Sequence, residues 1–308
     1  MVYTSSDILA SVKRNQTIAS TAFRFKDSDL LSMVDEEIEN TIVPMIMRLH
    51  SDRLAFTDVI PIIPSQSRYA IPYRAIGSQL RDLLIQDSLV NPKVKRGLKY
   101  YEYSDGILTT EIGEPVGFYF AGDEVALVPN TGPSTTLYLS FNYAIKHPRM
   151  IDGTEVGVIS SVDYTTGDIT LVNNAPLTFL TSDYYDFLVG NARSKPRLLA
   201  YDRQPISIIT NTINFDPTLI PPGLVTGDRV TRAQQSDVLL LPDECYKYLC
   251  KTVEVKVMEA QKDLKAVEQA RPLLRESRMA MESILTPRMT GEARVILNRN
   301  GLVRGRFI

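Results

Sequence analysis

The sequence predicts an α+β fold: helices from both ends of the chain build one bundle, and a large antiparallel β domain is inserted between them. Three observations carry that prediction. Residues 27–54 and 242–285 hold apolar side chains at three- and four-residue steps, the period of a helix with one buried face. Between them, short runs rich in Tyr, Ile, Val, Phe and Thr alternate with Gly, Pro, Asn and Asp, the texture of short strands and tight turns. The last segment, from Pro287, loses both patterns.

In the first helical segment, Leu31, Val34, Ile38, Ile42, Met45, Ile46 and Leu49 line one stripe. Asp27 or Ser28 is the expected cap, and Asp35, Glu36 and Glu37 lie early, where the helix dipole favours negative charge. Pro44 lacks an N–H for the ladder, so the helix should kink or divide there.

The β domain is expected over residues 55–241, as a barrel or a sandwich. Its clearest strands are Arg68–Ile71, Leu80–Gln86, Val116–Phe120, Glu124–Val128 and Leu137–Tyr143, followed by Glu155–Val162, Asp168–Val172, Tyr184–Val189, Ile206–Asn214 and Arg229–Gln234. Ala121-Gly122-Asp123 and Thr165-Thr166-Gly167 read as hairpin turns. Ile71 to Gly77, with Pro72 near its start, reads as a strand end followed by one helical turn.

The second helical segment spans 242–286, with Pro242 suited to its first turn. Cys245, Leu249, Val253, Val257, Ala260, Leu264 and Val267 predict a continuous face that Leu274, Met281 and Leu285 extend, and Pro272 is expected to separate two helices. An extended arm then occupies 287–308. It carries Arg288, Arg294, Arg299, Arg304 and Arg306 against Glu292 alone, a side-chain balance of +4. Val295, Ile296, Leu297, Val303, Phe307 and Ile308 give it apolar anchors. Such a peptide cannot bury a core of its own but can dock on a partner.

The composition bounds the function. Of the 308 residues, 44% are hydrophobic and 23% charged, ordinary for a folded domain, and the formal net charge of −2 creates no global attraction for nucleic acid or an anionic membrane. No apolar run reaches the roughly 20 residues of a membrane span, and the N-terminal residues lack the pattern of a signal peptide. The two cysteines, Cys245 and Cys250, point about 140° apart on one helix and read as core thiols of a reducing compartment.

Catalytic signals are sparse. His50 falls at a helix end and His147 precedes Pro148 in a loop. The chain has no GxSxG elbow, HExxH, CxxC, EF-hand loop or GxGxxG, and Thr131-Gly132-Pro133-Ser134 lacks the lysine of a P-loop. Asp183 and Asp186 could support glycosidic chemistry, although a chain with 36 acids offers such pairs by chance. The expectation is a non-enzymatic protein without a cofactor or metal.

Three stretches go further: DLLSMVDEEIENTIVPMIMRL (29–49), SRYAIPYRAIGSQLRDL (67–83) and EPVGFYFAGDEVALVPNTG (114–132). Together with the ending ILTPRMTGEARVILNRNG (284–301), they resemble the head-to-tail adaptor proteins of tailed bacteriophages, the connector or neck rings. Residues 150–240 contribute less to the likeness. The resemblance implies a virion component assembled in the host bacterial cytoplasm, in a homo-oligomeric ring that is usually dodecameric. Such a ring sits beneath the portal protein, lets double-stranded DNA pass without specific binding, and meets a downstream tail or neck protein. It also implies that the C-terminal arm embraces the portal or a neighbouring subunit.

Arginine pairs bidentately with carboxylates, so Arg288, Arg294, Arg299, Arg304 and Arg306 are the expected docking cations, with Val295, Ile296, Asn300, Phe307 and Ile308 beside them. The competing readings are another tail component (tube, nozzle, or fibre and tailspike attachment) and, further off, a carbohydrate-active or cell-wall enzyme.

Overall fold

A computed structural model describes residues 2–15, 25–88, 94–102, 112–132, 137–191 and 195–286. The arm prediction, from Arg288 to Ile308, lies outside the described residues. The described chain is mixed α+β, with five α-helices and several sheets that are antiparallel apart from three short parallel pairings.

The helices are α1 (Ser5–Asn15), α2 (Asp27–Glu37), α3 (Val43–His50), α4 (Asp243–Ala260) and α5 (Leu264–Leu285). Helix α1, which the sequence reading passed over, starts from a box in which the Asp7 carboxylate accepts from the Thr4 backbone N–H and hydroxyl, both at 2.8 Å. Its Ile8, Leu9 and Val12 are buried. Helix α2 begins one residue earlier than the expected caps allow: Lys26 occupies the cap position, and the Asp29 carboxylate accepts its N–H at 3.0 Å.

The division expected at Pro44 is a π-helical segment, Ile38–Ile42, joining α2 to α3. Its wider loop lets the Val43 N–H reach the Ile38 carbonyl, five residues back. That shift absorbs the hydrogen bond Pro44 cannot make while keeping Ile38, Ile42 and Ile46 on the buried stripe.

Two expectations about the second helical segment fail. Pro272 lies inside α5, and the break falls instead at Gln261–Asp263. There Lys262 adopts φ +62° and the Asp263 carboxylate accepts the Ala266 N–H at 3.1 Å, which ends one helix and caps the next. Pro272 is exposed, where water can solvate the carbonyl it leaves unpaired. Because the chain breaks at 261–263, Leu264 leaves the predicted continuous face and is 71% exposed.

The helices pack through one core. Leu30, Val34, Ile38 and Ile46 from the first segment meet Cys245, Leu249, Val253 and Val257 of α4 and Met281 and Leu285 of α5. A second core lies between two four-stranded sheets. One has the order Ala55–Pro61, Tyr138–Ile145, Ala75–Gln86, Val94–Gly97, and the other Arg68–Ala70, Glu124–Val128, Gly117–Ala121, Lys99–Tyr100. Leu83, Ile85, Val125, Leu139, Phe141 and Tyr143 fill the space. A third core belongs to a seven-stranded sheet running from Arg197–Arg203 at one edge to Ser207–Ile209 at the other. The expected choice between barrel and sandwich therefore resolves into two separate β cores.

Two local readings need correction. Residues 71–77 contain no helical turn: the Ala75 N–H donates to the Pro72 carbonyl at 2.8 Å in a tight turn, and Ala75 already begins a strand. Gly77 and Ser78 then sit at φ +59° and +55°, where that strand's pairing with Tyr143 and Ile145 slips register. Ile206–Asn214 is not one strand but two, Ser207–Ile209 and Thr212–Asn214, folded back through Thr210 at φ +51°. The Thr165–Gly167 turn is as expected, and Gly167 there is obligatory. At φ +82°, a Cβ would lie 1.9 Å from the Phe215 carbonyl oxygen.

Candidate docking surfaces

The chemistry-bearing side chains are mostly tied into the fold. Arg74, only 4% exposed, is the centre of the densest polar network. Its Nη1 and Nη2 donate to the two oxygens of fully buried Asp186 at 2.6 and 2.8 Å, and Nη2 also reaches Asp202 at 2.7 Å. Nε donates to the Tyr73 hydroxyl at 3.1 Å, and the guanidinium lies 4.7 Å from the centre of the Tyr201 ring. Tyr201 in turn donates to Asp58 at 2.6 Å and lies 3.1 Å from the Tyr143 hydroxyl.

Arg74, Asp58 and Tyr143 belong to the first β unit; Asp186, Tyr201 and Asp202 belong to the seven-stranded sheet. The network therefore clamps the two β units together. Burial pushes the Asp186 carboxyl up, while Arg74 and the backbone N–H groups of Gln234 and Asp202 pull it down. The bidentate pairing keeps it an anion. Nothing local in the sequence marks this pair, whose partners lie 112 residues apart.

The carboxylate pair considered for glycosidic chemistry is thus engaged by arginines. Asp186 is held by Arg74, and Asp183 lies 3.1 Å from Arg232 Nε. His147 is engaged too: Nδ1 donates to the Pro148 carbonyl at 2.6 Å, and Nε2 accepts the Leu240 N–H at 3.1 Å. Acceptance at Nε2 requires the neutral ring, and burial lowers its pKa to about 4 against the pull of the Pro148 bond. Burial raises the Cys245 thiol to about 12 and the Cys250 thiol to about 11, the condition of inert core cysteines. Among the described residues, no group of three or more His, Cys, Asp or Glu is placed to hold a metal ion. Among them, too, no helix is long and apolar enough to cross a membrane.

What remains available is surface. On α5, Leu273, Ser277, Ala280 and Ile284 fall on one line, about 100° around the axis from the buried Val267, Met281 and Leu285. With Lys247 and Lys251 of α4 they line a groove of about 530 Å³, whose acids are Asp243, Glu244 and Glu276. Helix α5 ends at Leu285, three residues before Arg288, so the arginine-bearing segment follows it closely in sequence.

A second apolar surface caps the seven-stranded sheet. Val172, Leu177, Leu180, Ile206 and Ile209 are all more than half exposed, and Leu177 is fully so. The loop bearing Val172, Leu177 and Leu180 is anchored: the Ala175 N–H donates to the Thr210 carbonyl at 2.7 Å, and the Tyr185 hydroxyl donates to the Leu180 carbonyl at 2.9 Å. A fixed loop that presents aliphatic side chains to water marks a contact surface. Sequence reasoning missed it: Val172, Ile206 and Ile209 read as strand residues, and Leu177 and Leu180 fell between the expected strands.

Comparison with protein-family models gives no match, and comparison with curated proteins gives none either.

Proposed function

We propose that the chain is a structural subunit of a head-to-tail adaptor ring in a tailed bacteriophage, without catalytic activity. In this reading the helices of residues 1–54 and 242–286 form a bundle that packs into the annulus, and residues 55–241 are an insertion facing the tail. The segment 287–308 is an arm that grips the portal protein or a neighbouring subunit. The ring, a dodecamer by the resemblance, sits in the virion neck and lets double-stranded DNA pass without holding it.

The observation that carries the reading is the shared helical core. Helices from both ends of the chain pack on one another, while the β units between them in sequence have cores of their own. The arm follows the last of these helices in sequence. Supporting it, the two β units are clamped by Arg74, and the exposed aliphatic loop gives a surface for a further component. Repetition around a ring multiplies each weak surface contact into a strong one.

Removing residues 288–308 tests the arm. The truncated chain should keep its secondary structure by circular dichroism and lose co-sedimentation with portal rings. Co-sedimentation equal to that of the full chain would refute the assignment of Arg288, Arg294, Arg299, Arg304, Arg306 and their apolar neighbours as docking residues.

A further inference from the structure

A cavity of about 300 Å³ opens at the seam where the chain passes between the helical layer and the β units. Its walls come from the start of the strand Ala55–Pro61, the end of Tyr138–Ile145, the start of Arg197–Arg203, and Leu240 just ahead of α4. Phe56, Ile145, Leu199 and Leu240 are half-buried there and present an apolar lining. The size is at the low end for a small-molecule site, suited to one or two apolar side chains.

The charges at its mouth are of one sign. Lys146 and Arg197 line the cavity, both exposed, and no acid lines it. Neither cation forms a salt bridge among the described residues, although most arginines of this fold are paired. The one other titratable group in the wall, His147, has both ring nitrogens spent on backbone. An adjoining hollow shares Pro196 and Leu240, and there Arg53 and Lys195 lie beside Asp243 and Glu244. The two cations and two acids of that hollow balance, so the uncompensated positive charge lies at the Lys146 and Arg197 end.

From this juxtaposition we infer that the seam cavity is a docking site for an acidic protein segment that inserts a large apolar side chain between Lys146 and Arg197. The complementarity is of the kind that gives specificity and on-rate at interfaces: an apolar anchor in a pocket, with unpaired charges at the rim. A nucleic acid is the poorer occupant. Its evenly spaced phosphates call for a row of cations along a groove, not two flanking one apolar hollow. The site is separate from the arm, and the inference stands or falls independently of the adaptor reading.

The test uses the full chain and fluorescence anisotropy with four labelled probes. They are the peptide Asp-Glu-Leu-Phe-Asp-Glu, the same peptide with Gly-Gly replacing Leu-Phe, a basic version with Lys and Arg replacing the acids, and a single-stranded DNA 20-mer. The acidic apolar peptide should bind at least about tenfold more tightly than the other three, since it alone satisfies both halves of the site. The double variant Lys146→Glu, Arg197→Glu should weaken that binding at least about tenfold while leaving the thermal unfolding midpoint unchanged. Both side chains are exposed, so the variant folds.

Binding that survives charge reversal, equal binding of the Gly-Gly peptide, preference for the DNA, or no binding at millimolar peptide would each overturn the inference. Truncation at residue 287 should leave peptide binding intact, which separates this site from the arm.

Discussion

Replacing Arg74 with Ala tests whether the clamp between the β units is a buried ion pair or merely a surface contact. The substitution removes both bonds to Asp186, the bond to Asp202, the bond to Tyr73 and the stacking on Tyr201. Asp186 is fully buried and would keep only the N–H groups of Gln234 and Asp202. Breaking a buried pair by removing one partner costs about 3–5 kcal/mol. That is a large part of the roughly 5–15 kcal/mol by which a domain is stable.

The expected result is a destabilisation of that size in urea titrations at pH 8, read by circular dichroism. The deficit should shrink as pH falls. Without Arg74, burial holds the Asp186 carboxyl above its unfolded value, so the variant's stability is lost as pH rises through that folded pKa and regained below it. The double substitution Arg74→Met, Asp186→Leu should cost less than Arg74→Met alone, because no buried charge is stranded. A deficit under about 1 kcal/mol that does not change with pH would refute the reasoning, since that is how an exposed pair behaves.

Other consequences follow from the same geometry. His147, held neutral with a folded pKa of about 4, contributes stability that is present above its unfolded pKa of about 6.5 and lost as pH falls toward 4. Asp35 and Asp237, raised to about 6 by burial, work in the opposite sense: their cost at neutral pH is relieved on acidification. The difference between wild type and His147→Gln across pH 4–7 isolates the histidine, and should change by about 1–3 kcal/mol. A flat difference would contradict the two backbone bonds. Gly167→Ala should destabilise by more than about 1 kcal/mol, because it adds a clash with the Phe215 carbonyl to an unfavourable φ; a neutral result in urea titration would contradict the turn.

The parts of this fold that announce themselves in sequence are those governed by local periodicity. The α2–α3 stripe from Leu31 to Ile46 and the α4 stripe from Cys245 to Val257 are buried as their spacing requires. A local signal misleads where a stronger one competes with it. Pro272 looked like the break, but a left-handed Lys262 beside a capping Asp263 outranks a proline on an exposed face. Helix α1 carried a readable Thr4-x-x-Asp7 box that was passed over. Arg74, Asp186 and Tyr201 were illegible for a different reason: their meeting depends on how two β units pack, and no local rule encodes that. The seam cavity is hidden in the same way, since its walls come from four separate parts of the chain.

In the proposed function the chain acts through its assembly surfaces. The most direct test of the proposed adaptor role is electron microscopy of the full chain mixed with rings of a tailed-phage portal protein. An adaptor subunit should form a second ring stacked coaxially on the portal, matching its symmetry, with density from the C-terminal segment reaching the portal or the adjacent subunit. Chains that stay monomeric beside bare portal rings, or that turn over a glycan or cell-wall substrate, would contradict it.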